Sequence, residues 1–450
     1  MEDNLSKKKI DQLGVRLSED TPSKEDLDLL QEYRRSFGPA LARTFEKLTT
    51  IAKQIDSQSI VTYRIKRIDS IIRKLKRFKN TPNGRMCLQN MGDIAGCRCI
   101  LQKENTDNIY KVKEELEKVT SLRSKSENNY ITKPKLDGYR SLHEYANYEN
   151  PKRVIEIQIR NQDMHNWATL VEIIDVLYTT KIKEGENSDN QLKRFLLLFS
   201  KKNELSFKEK EELINIAESN ELTKKMSEVF SQNYINIRLQ WIKREKKGGE
   251  YFIISADENA KSSIQSYEKF EEAEDAYFSM YLQYPKSNIV LTRIKNVSFK
   301  KISRAYSNYM LAIHDFFVLY PKILDSFILD CIKQRKRIAL NSAMTIYKNN
   351  YFLRFNNFKN EVSVLINSRA TRTISSNELR EWVNDLTSLV RKWNKLISDF
   401  SDEIKKTPLD PITRIILKYH FTEIAKKNRT ATKEIKELIA SLTLQKNKLS

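Results

Sequence analysis

The 450-residue sequence is poor in the residues that build metal and redox centres, with four cysteines and four histidines. Cys87, Cys97, Cys99 and Cys331 form no CxxC pair, and Cys97 and Cys99 stand two apart in a run that reads as a strand. That spacing points both thiols to one side of a stretched backbone, so neither a disulfide framework nor a zinc site is indicated. Nine glycines and nine prolines are too few for a low-complexity chain. No apolar run approaches the roughly 18 residues that cross a bilayer, and none follows Met1-Glu2-Asp3-Asn4. A membrane partner is not expected, and the cytoplasm is the expected compartment.

Charge is what the sequence has. Hydrophobic residues at 40% can fill cores, and charged residues at 31% point to a soluble, mostly helical chain. Single cores stop growing near roughly 250 residues, so at least two domains are expected. The formal charge of +21 attracts polyanions such as nucleotides, RNA or acidic membranes. Residues 1–185 hold 34 Lys and Arg against 27 Asp and Glu, a surplus of 7, which leaves 14 for the remainder. Solvated helix faces account for part of that surplus.

Residues 24–55 read as one helix, with Leu29, Tyr33, Phe37, Leu41, Phe45 and Leu48 recurring every three or four positions. A second helix is predicted over residues 59–78, burying Ile65, Ile68, Ile72 and Leu75 and showing Lys66, Arg73 and Arg77 on its other side. From Asp93 the period changes: residues 93–101 turn into a strand and residues 108–117 read as a helix. Residues 139–148 and 154–160 read as two strands joined at Asn150-Pro151. Alternation in the second puts Ile155, Ile157 and Ile159 on one side and Glu156, Gln158 and Arg160 on the other. A helix over 162–178 closes the unit, and polar residues 183–190 mark a boundary. Residues 192–244 read as helical, and Lys246-Lys247-Gly248-Gly249 as a hairpin or linker. A small α/β pattern follows, with strands over 251–255 and 289–294 and a helix over 263–283 between them. The rest is helical, broken at Thr407-Pro408-Leu409-Asp410-Pro411. Residues 273–285 look like one helix of a tetratricopeptide repeat, but no period of about 34 residues supports an array.

Phosphoryl chemistry needs cations on a polyphosphate, carboxylates for a metal and a platform for an acceptor base. The basic side chains of residues 64–77 could wrap a triphosphate, although such a helix is more often solvated surface. Asp93 stands at the start of a strand and Glu156 on the polar side of another. Either carboxylate alone is weak evidence of a metal site. Between them, residues 130–143 form a basic loop that turns at Gly138 and offers a ring for stacking.

The motifs are Arg64-Ile65-Lys66 with Ser70, Asp93-Ile94-Ala95-Gly96-Cys97-Arg98, Lys133-Pro134-Lys135-Leu136-Asp137-Gly138-Tyr139-Arg140-Ser141-Leu142-His143, and Glu156-Ile157-Gln158-Ile159-Arg160 with Met164-His165-Asn166-Trp167. In this order they resemble the RelA/SpoT-type alarmone synthetases. The resemblance implies transfer of pyrophosphate from ATP to the 3′-hydroxyl of GDP or GTP, with release of AMP. It implies that Arg64 and Arg98 sandwich the adenine and that Lys66, Lys74 and Arg77 hold the ATP phosphates. Asp93 and Glu156 would bind Mg²⁺, Glu156 also drawing the proton from the attacking hydroxyl. Tyr139 would stack on the acceptor base, with Lys135 and His143 on phosphates nearby and Gln158 supporting the cleft.

Two positions depart from the family. Asp137 stands where Asn or Ser is frequent, which would put a carboxylate beside the acceptor phosphates. Asn161 stands where Thr often follows. No hydrolase half is expected, because the only His-Asp pair, His314-Asp315, lies downstream and reads as an ordinary helix pair.

The expected fold class is α+β: a mixed-sheet, nucleotidyltransferase-like synthetase domain flanked by helices over residues 1–190, a helical connector with a small α/β domain over 191–318, and a helical region over 319–450. Retained Lys135, Tyr139 and His143 favour GDP or GTP as acceptor. Charge beyond the catalytic domain, Asp137 and the long C-terminal region favour a toxic relative that modifies the 3′ end of tRNA. A degenerate nucleotide- or RNA-binding module is the third class, and intact Asp93 and Glu156 argue against it. The clusters Lys333-Gln334-Arg335-Lys336-Arg337 and Lys243-Arg244-Glu245-Lys246-Lys247, with Tyr306 and Tyr309, offer an RNA contact, though residues 303–309 read more readily as a helix start packed in a core.

Overall fold

The computed structural model describes residues 5–19, 21–80, 86–123, 128–149, 152–180, 182, 189–201, 204–245, 249–285, 287–367 and 376–447. Three helices come first: α1 (Lys7–Glu19), α2 (Lys24–Arg35) and α3 (Gly38–Ile55). Where one helix was expected over 24–55, the chain breaks at Ser36-Phe37, because Pro39 in the first turn of α3 has no N–H with which to continue the ladder. A capping box starts α2, the Ser23 hydroxyl accepting from the Asp26 N–H while the Asp26 carboxylate accepts from the Ser23 N–H.

The helix expected over 59–78 is corrected in its first half, which is strand β1 (Ile60–Ile65); only α4 (Ile68–Arg77) is helical. Ile60-Val61-Thr62-Tyr63 is a β-branched and aromatic run, and β1 is hydrogen-bonded on both edges. Then come β2 (Ala95–Leu101), α5 (Asp107–Glu117), β3 (Leu122–Arg123), β4 (Leu142–Glu149), β5 (Lys152–Asn161) and α6 (Gln162–Leu177). The Asn150-Pro151 turn and most of the 183–190 boundary lie outside the described residues, as does Lys246-Lys247-Gly248.

The expected 192–244 helix is three: α7 (Asn190–Lys201), α8 (Phe207–Ser219) and α9 (Leu222–Glu245). A hairpin of β6 (Tyr251–Ala256) and β7 (Ser262–Tyr267) follows, so strand stands where a helix was expected from residue 263. Next are α10 (Phe270–Gln283), β8 (Asn288–Arg293), α11 (Phe299–Ala305), α12 (Ser307–Met310), α13 (Phe316–Lys333), α14 (Arg337–Asn367), α15 (Ser376–Lys406) and α16 (Pro411–Asn447).

Among the described residues the strands form one mixed sheet in the order β3-β4-β5-β2-β1-β8-β6-β7, with β2 and β5 parallel and every other pair antiparallel. The α+β class is as expected, but the small α/β segment is not separate: β8, β6 and β7 extend the same sheet beyond β1. The expected divisions near 190 and 318 are therefore replaced. One unit comprises Met1–Val176 and Lys243–Ile313, the other Leu177–Ile242 and His314–Ser450.

In the first unit, one side of the sheet is core. Tyr63, Ile65, Cys97, Cys99, Ile155, Ile157 and Ile159 pack with Leu41, Phe45 and Leu48 of α3 and Ile109, Val112 and Leu116 of α5, all buried. The second unit is helical, with Phe195 and Phe199 of α7 set against Phe316 of α13 and the Phe316 ring stacked on Tyr320 at 5.3 Å. No helix among the described residues is long and apolar enough to cross a membrane.

Candidate active site

Strand register decides which side chains meet. Arg64 of β1 lies opposite Gly96 of β2, Gly96 opposite Glu156 of β5, Arg98 opposite Gln158, and Gln158 opposite His143 of β4. Directly opposed residues share a sheet face, so Arg64, Arg98, His143, Glu156, Gln158 and Arg160 all lie on the side away from the core. Gly96 is needed where β5 comes close: a Cβ there would stand 2.9 Å from the Glu156 carbonyl oxygen.

At one end of this face Asp93 receives two lysines. Lys66 Nζ donates to Oδ2 at 2.8 Å and Lys74 Nζ to Oδ1 at 2.9 Å. Burial alone would raise the Asp93 carboxyl, but the two ammonium groups outweigh it and hold it at about 2. Lys66 sits in the turn from β1 to α4, and a buried polar network pins that turn from outside. Arg34 Nε donates to the Lys66 carbonyl at 3.0 Å, and the Arg34 guanidinium lies 4.5 Å from the Tyr277 ring centre and reaches Glu274 at 3.4 Å. The Tyr277 hydroxyl accepts from the Ile68 N–H at 3.2 Å, so α2 and α10 grip both ends of the turn. Arg77 does not join the cluster: it is exposed, its guanidinium 4.6 Å from the ring centre of Phe78.

Glu156 is equally engaged. His143 Nδ1 lies 3.0 Å from Oε1, and Gln158 Nε2 donates to Oε2 at 3.0 Å. Burial pushes the Glu156 carboxyl up, and the His143 contact more than reverses this, leaving it below its ordinary value. The other His143 nitrogen, Nε2, is 2.8 Å from the Tyr139 hydroxyl. Tyr130, Tyr139 and His143 pack edge to face, and Lys135 Nζ lies 4.6 Å from the Tyr130 ring centre and 5.1 Å from that of Tyr139. Tyr130, within the basic loop, had no role assigned from sequence, because nothing in its spacing marks it.

The loop itself turns as Gly138 demands, with φ at +95°. Asp137 accepts from the Tyr139 N–H at 2.9 Å, an Asx-type turn, so its carboxylate shapes the loop. Asn161, the other departure, accepts from the Met164 N–H at 2.9 Å and so holds the first turn of α6.

On the same face, Arg64, Arg98 and Arg160 lie close enough to act on one another. Burial, and for Arg98 and Arg160 the neighbouring guanidinium groups, push both of those down. Glu172 of α6 acts on all three as counter-charge and takes a hydrogen bond from Asn308 of α12. Tyr306 and Tyr309, considered above for RNA contact, are buried beside this cluster. The Tyr306 hydroxyl donates to Thr292 at 2.6 Å, and Thr292 stands opposite Arg64. They are closed to RNA, as the packed-core reading of residues 303–309 expected.

Residues 63–182 match the family described as a region found in RelA/SpoT proteins. That segment is similar to the region shared by RelA/SpoT proteins. The chain is 35% identical over 130 residues to the GTP pyrophosphokinase YjbM of Bacillus subtilis (strain 168), covering 28% of this chain and 59% of that protein. It is 35% identical over 113 residues to YwaC, a GTP pyrophosphokinase of the same organism, covering 24% and 53%. The chain thus spans little more than half the length of these relatives. Among solved structures, small alarmone synthetase 1 of Bacillus subtilis bound to its product pppGpp aligns at 26% identity and a TM-score of 0.31, over 38% of this chain and 90% of that one. A GTP pyrophosphokinase family protein of Streptococcus pneumoniae aligns at 28% identity and a TM-score of 0.32, over 40% and 88%.

The RelA/SpoT region ends before Thr292, Tyr306, Asn308, Glu274 and Tyr277, so the walls behind the arginines and the Lys66 turn come from later segments of the chain. For a divalent cation the donor set is small: among the described residues no group of three or more His, Cys, Asp or Glu could hold a metal. Two carboxylates, Asp93 and Glu156, suit Mg²⁺, which takes one or two from a protein and completes its shell with substrate phosphates and water.

Proposed function

We propose that the first unit transfers the β,γ-pyrophosphate of ATP to the 3′-hydroxyl of GDP or GTP, releasing AMP. The observation that carries this reading is the gathering on one sheet face of Asp93 with Lys66 and Lys74, and of Glu156 with His143 and Tyr139. Lys66 and Lys74 exchange Asp93 for the donor's phosphate oxygens, and Arg64 and Arg98 flank its adenine. Asp93 and Glu156 are the residues that would hold Mg²⁺, which when bound would neutralise charge on the polyphosphate. Tyr139 stacks on the acceptor base, and Lys135 and His143 bind the acceptor phosphates, His143 also orienting Glu156 with Gln158. Glu156 takes the proton as the 3′-oxygen attacks Pβ. The bond from Pβ to the oxygen bridging Pα breaks, and AMP leaves. Arg77 takes no part.

The test is incubation of the purified full chain and Mg²⁺ with γ-labelled ATP and, separately, GDP, GTP or bulk tRNA. Label on GDP or GTP is expected. Label on tRNA alone would move the acceptor to a tRNA 3′ end, and no labelled acceptor in any arm would overturn pyrophosphate transfer.

A further inference from the structure

The second unit carries an unusual surface where α14 and α16 begin. These helices run side by side: Arg337 reaches Asp410 at 3.3 Å, His420 Nε2 lies 2.9 Å from Asn341 Oδ1, and Lys348 Nζ lies 5.6 Å from the Tyr419 ring centre. Along α16, Thr413, Leu417, His420 and Ile424 are buried in the bundle. The opposite face shows Ile412, Ile415 and Tyr419, at i, i+3 and i+7, which are 47%, 68% and 60% exposed, and Ile338 at the start of α14 is 91% exposed. Single exposed apolar residues need no explanation, but four gathered at one end of a helix pair form a patch.

The rim of the patch is cationic. Lys333, Arg335, Lys336 and Arg337 are exposed, as are Arg414 and Lys418. Asp410 is the only acid in residues 333–348 and 410–419, and it is already engaged by Thr413 and Arg337. An apolar centre with a rim of one sign fits a ligand of opposite sign that brings its own apolar residues. RNA fits less well. Three of the four apolar side chains are isoleucines, which give a base no ring to stack on, and Lys348 already sits near the fourth. A second copy of this chain would set like charges against like.

We propose that this end of the second unit docks an acidic amphipathic segment of a partner protein, whose apolar side chains seat on Ile338, Ile415 and Tyr419 while its Asp and Glu face the basic rim. The surface is independent of the pyrophosphate-transfer reading and accounts for part of the charge that lies outside the catalytic region.

A phage-displayed library of random peptides of about 16 residues, long enough for about four helical turns, tests this on the immobilised full chain. The counter-selection uses the double variant Ile415→Asp and Tyr419→Asp, whose sites are exposed so that its thermal unfolding should match wild type. The enriched peptides are expected to combine acidic residues with an apolar i, i+3 or i+4 seam. A synthetic consensus peptide should lose about tenfold or more in affinity to Ile415→Asp and to Lys418→Glu, and should weaken as salt rises. Enriched peptides without acidic residues, or none that tell wild type from variant, overturn the proposal. So does bulk tRNA, or vesicles containing phosphatidylserine, that lose about tenfold to both single substitutions where the peptide does not.

Discussion

The carboxylate end of the cleft and the loop over residues 133–140 use the same residue types in opposite states. Around Asp93 and Glu156 every carboxylate oxygen has a partner within the chain, and the partners rest on the sheet, on the pinned turn at Lys66 or on α4. In the loop, Lys133, Lys135, Asp137 and Arg140 are exposed and Leu136 is 99% exposed. What organises the loop is backbone geometry, Gly138 donating to the Lys135 carbonyl at 2.8 Å and Tyr139 to Asp137. The first end is held by charged side-chain contacts, and the second by its backbone turn alone. Preorganised charge is where the largest catalytic effects reside, so substitutions should cost more at the first end.

Glu156→Gln tests the contrast hardest. It keeps the shape and removes the base, and label transfer should fall by about a thousandfold or more while the melting temperature stays close to wild type. A rate within tenfold of wild type would remove Glu156 from the reaction. Gly96→Ala acts through Glu156, since its new Cβ must displace the β5 backbone. The rate should fall by about a hundredfold, with the ATP KM changed less, in line with the cost of misplacing a reacting group.

Tyr139→Ala belongs to the second end and should raise the acceptor KM about tenfold, the scale of one lost base stack. An equal rise in the ATP KM would contradict the division of the cleft. The Asp93 contacts also predict a pH effect on stability. Its folded value, about 2, lies below the ordinary 3.8, so its contribution is full above about pH 4 and is lost as pH falls toward 2. The stability gap between wild type and Asp93→Asn, about 1–2 kcal/mol near neutrality, should therefore narrow over that interval in denaturant titrations. A gap that stays constant would mean the pairs contribute nothing. The smallest effect is expected of Asp137→Asn: an Asn oxygen can accept the same Tyr139 N–H, so transfer should stay within about twofold. A larger gain would return Asp137 to the acceptor phosphates.

Much of this site was legible in advance because strands advertise themselves with a period of two. Ile155, Ile157 and Ile159 against Glu156, Gln158 and Arg160 is such a pattern, and the sheet obeys it. The same logic failed at residues 60–65, where five of the six positions are buried, on both sides of the strand, and Ile65, Ile68 and Ile72 imitate a helix. Burial on both faces removes the alternation, and the strand partner that would explain it, β8, lies more than 200 residues away. The hairpin at 251–267 was half read for a related reason, since Ser262–Tyr267 is polar at a sheet edge and β7 has a strand on one side alone. His143 was expected on a phosphate, yet it also pairs with Glu156, because antiparallel register sets it opposite Gln158.

Local pattern therefore determined the polar and apolar rows of the β2–β5 core, the turn at Gly138 and the break before α16, each a matter of a few adjacent residues and their allowed backbone angles. Tertiary structure alone decided that β6–β8 join the same sheet, that Tyr306, Asn308 and Glu172 wall in the arginines, that α2 and α10 pin Lys66, and that Ile338 and Ile415 are left exposed on a basic rim. These depend on contacts between segments far apart in the chain, where hydrogen-bond partners and buried area are settled by packing and leave no periodic trace in the sequence.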